Sequence, residues 1–114
     1  MNLGDIVYIN FPFTDATGAK RRPVLIVGIS PQGSNQDEMV VVAEITGSAQ
    51  RVAYPMVGDF LLDNWKQLNL KALSVLRSRH LFSATPYDLG EKLGDMDMAT
   101  LTAARAEIKA LLQF

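Results

Sequence analysis

Residues Thr14 to Gly28 read TDATGAKRRPVLIVG, and their reading decides the fold. A polar, Gly-containing turn delivers Lys20, Arg21 and Arg22 in succession, and Pro23 then opens an apolar run. Proline disfavours helical angles at the residue before it, so Arg22 is expected in extended backbone at the mouth of a strand. Val24, Leu25, Ile26 and Val27 are largely β-branched, as suits a strand buried on both faces. A guanidinium fixed on a strand end presents its planar fork to a phosphate with less ordering cost than one on a loose loop. The other reading of the same three cations is a set of solvated charges at a hairpin end.

Outward from this stretch, strand patterns dominate. Asp5 to Phe11 (DIVYINF) is a first strand closed by Pro12, Arg22 to Ile29 a second, and Glu38 to Thr46 (EMVVVAEIT) a third ending at Gly47. Residues 13 to 21 and the Pro31, Gly33, Ser34, Asn35 cluster form the connecting turns. Arg51 to Tyr54 is expected to return as a fourth strand against the third, across Gly47 and Ser48. In Asp59 to Leu70 the spacing of Phe60, Leu61, Trp65 and Leu68 fits a short helix. Ser74 to Phe82 reads as a further strand, bent near Ser78. Thr85-Pro86 can start a helix that Gly90 and Gly94 keep brief. Asp97 can cap a final amphipathic helix, with Leu101, Ala104, Ile108 and Leu111 at helical spacing. Closely spaced strands with short turns fit a small, curled antiparallel barrel, mainly β with a C-terminal helix.

Composition narrows the function. A chain of 114 residues forms one domain, residues 1–114, with a real core. Its net charge of −1 excludes bulk electrostatic capture of nucleic acid, so any such site is a local patch. With no cysteine, thiolate metal sites, nucleophiles and disulfides are impossible. The start MNLGD lacks a signal-peptide pattern and no apolar run reaches spanning length, giving a cytoplasmic expectation.

The opening GDIVYINFPFTDATGAKRRPVLIV resembles the MazF/PemK family of toxins from type II toxin-antitoxin systems. The features that carry the likeness are Gly-Asp, an apolar strand, a Phe-Pro step, a Gly-containing loop, and Arg-Pro before a Val/Leu/Ile strand. VVVAEIT at 40 to 46, LNLKALSVLR at 68 to 77 and the closing helix agree in order, so the likeness spans the chain. It implies an SH3-like antiparallel β-barrel, a homodimer, a cognate antitoxin that lies across it, and endoribonuclease activity on single-stranded RNA without metal or other cofactor. It also implies catalytic roles for Arg22, before the proline, and Thr46, at the end of the third strand. A protein-binding barrel like the gyrase-poisoning CcdB toxins, and a catalytically silent RNA- or partner-binding barrel, are the alternatives on the same fold.

Cleavage by a neighbouring 2′-OH requires that hydroxyl to be aligned and deprotonated, charge on phosphorus oxygens to be stabilised, and the leaving 5′ oxygen to be protonated. Arg22 and Thr46 suit the electrostatic roles. A guanidinium and a Thr hydroxyl are poor proton carriers, so the base stays unassigned. His80 is the only histidine, but the family pattern gives it no part and a structural or surface role is expected. Lys20, Arg21, Arg51, Arg77 and Arg79 are candidate RNA contacts, with Lys66 and Lys71 as possible extensions. Glu44 joins them because alternation sets it on the face of Thr46. Trp65 and Tyr54 could stack on unpaired bases or fill core and interface positions. The scattered acids show no metal-ligand spacing and read as solubility.

Overall fold

The computed structural model describes residues 1–11, 20–30 and 38–113, with the side chains of 10, 11 and 20 set aside. The expected turns at 13–19 and 31–35 lie outside the described residues. Six strands run β1 (Asp5–Phe11), β2 (Lys20–Ile29), β3 (Val40–Thr46), β4 (Asp59–Leu62), β5 (Ser74–Ala84) and β6 (Lys92–Asp95). They form one sheet in the order β4-β5-β3-β2-β1-β6, with every pairing antiparallel. The result is a curled half-barrel, mostly β, carrying helices α1 (Ala49–Ala53) and α2 (Met98–Leu112).

Each face of the sheet buries its own apolar set, which is why β2 reads as a continuous hydrophobic run. Leu25 and Val27 join Ile6, Ile45, Leu62, Leu76 and the α2 residues Leu101, Ala104 and Ile108 on one face. Val24 and Ile26 join Val7, Val40, Val42 and Ala84 on the other. Val24, Leu25 and Ile26 have no exposed surface, as expected of a strand covered on both sides.

The segment after β4 reaches across to β6. Asn69 takes a left-handed conformation, φ 61°, and its Nδ2 donates to the Leu93 carbonyl at 2.8 Å. A Cβ on Gly94 would stand 3.0 Å from the Leu68 carbonyl oxygen, so only glycine admits that approach. Asp97 caps α2 by accepting the Thr100 N–H at 3.0 Å, as its position before the apolar repeat predicts.

Two sequence expectations are corrected. Residues 51 to 54 do not return as a strand: Ala49–Ala53 is a single helical turn, and β3 pairs instead with β2 and β5. The reason is local, since Arg51 must turn back to reach the Asp59 carboxylate. Asp59 to Leu70 is not a helix but β4 followed by turns, with Leu62 buried and Leu61 half exposed in strand alternation. The brief strand β6 had no sequence signal, because Lys92-Leu93-Gly94-Asp95 is too short and polar to show one. The Thr85-Pro86 start does give only a brief 3-10 turn, Pro86–Asp88, with the Asp88 carboxylate accepting the Thr85 N–H at 2.8 Å.

Candidate functional site

The second apolar face does not stay apolar along its length. On β3, Val40 and Val42 give way to Glu44 and Thr46, and on β2, Ile26 and Val24 give way to Arg22. Val24 is opposite Glu44, and continuing that antiparallel register by two residues sets Arg22 level with Thr46. Arg22 and Thr46, from separate stretches of sequence, therefore share one face of neighbouring strands: Thr46 ends β3, while β2 starts at Lys20, two residues before Arg22, and not at Arg22 as the sequence suggests.

Arg22 is half-buried, and among the described residues no carboxylate pairs with it. A fork aimed by a central strand, and without an anion among the described residues, suits an external one. Thr46 is nearly buried, and its Oγ1 accepts the Ser48 N–H at 3.2 Å. The hydroxyl proton is independent of that bond, and among the described residues no acceptor takes it.

Between Ala43 and Glu44 the β3–β5 register slips. Ala43 is opposite Leu81 but Glu44 is opposite Arg77, so Ser78, Arg79 and His80 bulge out of β5, at the place where the sequence predicts a bend. The bulge brings Arg77 and His80 together against Glu44. Arg77 Nη1 donates to Glu44 Oε1 at 3.2 Å and Nη2 contacts His80 Nε2 at 2.7 Å, while His80 Nδ1 lies 3.8 Å from Glu44 Oε2. A guanidinium can only donate, so Nε2 is the acceptor and the neutral ring carries its proton on Nδ1. Partial burial first, then the Arg77 charge, hold the His80 pKa below its ordinary 6.5; Glu44 opposes this, and Arg51 and Arg79 add to it.

The other candidates divide. Arg51 approaches from α1, but both oxygens of Asp59, an almost fully buried carboxylate, accept from its Nη2 at 3.1 and 2.9 Å. Asp59 is thus a structural partner rather than a solubility residue, as is Asp5, which accepts the Asn2 N–H and faces Lys92. Arg79 is exposed within the bulge. Arg21 is not brought to this face: strand alternation turns it away from Arg22, and it lies 3.9 Å from the Tyr8 ring centroid and 2.8 Å from Glu91. Lys20 pairs through its backbone with Phe11, and its side chain lies outside the described residues. Trp65 packs against the helix-side core with Lys66 over its ring, Lys71 is exposed, and Tyr54 stands open after α1. The contact of His80 with Arg77 and Glu44 is one that sequence reasoning does not reach. The three-residue separation of His80 from Arg77 assigns the two to opposite faces of a regular strand, and only the bulge reverses this.

Among the described residues, no three His, Cys, Asp or Glu side chains are grouped as a metal site. No helix among them is long and apolar enough to cross a membrane.

The fold and this face define a class: a small curled antiparallel barrel backed by one amphipathic helix, with a cationic polar end on its open side. The chain belongs to the PemK-like, MazF-like toxins of type II toxin-antitoxin systems, whose family model matches residues 2–112. Solved structures agree in fold. The Mycobacterium tuberculosis toxin MazF-mt6 superposes with a TM-score of 0.70 at 20% identity, covering 96% of this chain and 97% of that one. A MazE-MazF structure from Deinococcus radiodurans gives 0.73 at 21% identity, over 100% and 96%. An endoribonuclease in complex with its cognate antitoxin, from a mycobacterial species, gives 0.66 at 14% identity, over 97% and 93%. No curated protein matches the chain by sequence.

Proposed function

We propose that this chain is the endoribonuclease toxin of a toxin-antitoxin pair, cleaving single-stranded RNA with Arg22 and Thr46 at the reacting phosphate. The observation that carries the reading is the Arg22 guanidinium, without a carboxylate partner among the described residues and level with a Thr hydroxyl whose proton is free. The 2′ oxygen attacks phosphorus and loses its proton, and the bond to the 5′ oxygen breaks as that oxygen gains one. The products are a 2′,3′-cyclic phosphate and a 5′-hydroxyl. Arg22 donates two parallel N–H bonds to the non-bridging oxygens as their charge grows, and Thr46 donates a third or aligns the 2′-OH. The donor set suits a reaction that needs no metal, since its phosphate-facing groups are cations and a hydroxyl.

Control follows the same chemistry. A cognate antitoxin segment that is acidic or amphipathic offers Arg22 a carboxylate in place of phosphate, and the solved relatives include toxins bound to antitoxins. A homodimer would set two such faces along one strand of RNA. Edge strand β4, with Leu61 half exposed beside open Tyr54 and Val57, supplies apolar surface for such a contact.

The test is incubation of the purified protein with a mixed RNA pool in EDTA, followed by mapping of the new ends. Cleavage leaving 5′-hydroxyls supports the proposal. RNA left intact with and without magnesium defeats it in favour of a protein-binding barrel, and cleavage restored only by a divalent ion overturns the metal-free chemistry.

A further inference from the structure

The β5 bulge holds a second unused resource. Arg77 has five N–H groups, of which the structure commits one to Glu44 and one to His80; its Nε is buried and has no partner among the described residues. His80 accepts at Nε2 from a permanent cation, although imidazole can itself carry charge. The pair is compatible only while the ring is neutral. A proton on Nε2 would set two donors 2.7 Å apart, a clash that an acceptor shared by both, above all an anion, would relieve.

We propose that Arg77 and His80 form a proton-linked phosphate subsite for the RNA strand, beside the Arg22 and Thr46 centre. This rests on the ribonuclease reading and adds to it. In the empty site Arg77 Nη2–H donates to His80 Nε2. When a phosphodiester arrives, Nε2 takes a proton from solvent, and Nη2–H and Nε2–H both donate to the phosphoryl oxygens. Nδ1–H then turns toward Glu44 Oε2, now 3.8 Å away, so that the new imidazolium keeps a carboxylate on its far side. The charged groups around the ring are Arg77 and Arg79 on β5, Glu44 on β3, Arg51 on α1 and, behind Arg51, Asp59 on β4. Three guanidiniums against two carboxylates leave this pocket positive in a chain of net charge −1. An added proton is disfavoured there, and a bound anion offsets that cost. Binding and proton uptake are therefore one equilibrium: phosphate raises the affinity of His80 for a proton, and acid raises the affinity of the pair for phosphate.

The chain has a single histidine, so the test reads one ring in the whole untagged protein. His80 is titrated by NMR with and without a saturating 2′-O-methyl oligoribonucleotide, which binds but cannot be cleaved. The free ring should show the Nδ1–H form and titrate below its ordinary value, and the oligonucleotide should raise that titration by about one unit or more. Each unit is about tenfold in affinity once the pH is below both values. Oligonucleotide affinity should therefore climb between about pH 7.5 and 5.5 by several-fold more in the wild type than in His80→Gln, which keeps an acceptor but cannot take the proton. An oligonucleotide that binds without moving the His80 titration, or with the same pH dependence in both proteins, overturns the subsite and leaves the ribonuclease reading standing. If neither protein binds it at either pH, the RNA reading fails and the subsite fails with it.

Discussion

Arg22 and Arg77 lie on the same face of one sheet and are held in opposite ways. Arg22 belongs to a central strand covered on both sides, and among the described residues its position comes from backbone: Pro23, the buried Val24 and the pairing of β2 with β1. Arg77 stands at the start of a three-residue bulge and takes its position from side chains, the Glu44 carboxylate and the His80 ring. A guanidinium fixed by backbone keeps its donors for a ligand. One fixed by side chains must share them, and so becomes sensitive to whatever changes its partners.

The largest test of this contrast removes the backbone-held group. Arg22→Ala or Thr46→Ala should each lower RNA cleavage by about a hundredfold or more, the range for losing one transition-state donor. Neither should unfold the domain, since both occupy the polar end of the face. A folded Arg22→Ala protein that cleaved at the wild-type rate would remove Arg22 from the centre.

A smaller effect is expected where the guanidinium is held by side chains. Glu44→Gln keeps an acceptor but strips the charge that Arg77 and His80 share, and should lower cleavage by roughly tenfold, the scale of losing a charge-assisted hydrogen bond. The His80 titration should fall further in this variant, because Glu44 is the one group raising it. Arg77→Gln should move it upward. Movement of both titrations in the same direction would contradict the arrangement described for the triad.

Acid should expose the same partnership through stability. Folding favours the neutral His80 ring, whose titration lies below the unfolded value of 6.5. This contribution is complete above about pH 6.5 and is lost as the pH falls through the folded value. Thermal unfolding of the wild type should therefore weaken more over that interval than unfolding of His80→Gln. Equal acid sensitivity would show that the ring is indifferent to Arg77.

These two regions also differ in how far sequence alone reveals them. The Arg-Pro junction and the apolar run after it declare a strand, its burial and the aim of Arg22, because proline geometry and β-branching act locally. Glu44 and Thr46 follow by alternation. Alternation fails at Arg77 and His80, since it assumes one residue per register step, and a three-residue slip is fixed by pairing with a strand more than thirty residues away. Residues 51–54 and 59–70 depart from their sequence reading for a related reason. The Arg51–Asp59 pair ties two short elements together, and neither carries enough periodicity to declare itself.

The smallest expected effect tests whether position on a face matters more than charge. Arg21 and Arg22 are adjacent, equally cationic, and within the same stretch that suggested an anion site. Alternation nevertheless sends Arg21 to the other face, onto the Tyr8 ring and beside Glu91. Both members of that ion pair are well exposed, so the contact is screened and contributes little to stability. Stacking on Tyr8 adds only modestly at an exposed site. Arg21→Ala should therefore leave cleavage within about twofold of wild type and thermal stability nearly unchanged, as for surface changes generally. What it should alter is the salt dependence of RNA binding, and only if the strand continues around the barrel edge toward β1. A slope reduced by about one phosphate contact would extend the RNA track to that edge. If cleavage instead fell as far as in Arg22→Ala, charge at the strand mouth would matter more than the face it occupies, and the separate roles assigned to these two neighbours would be wrong.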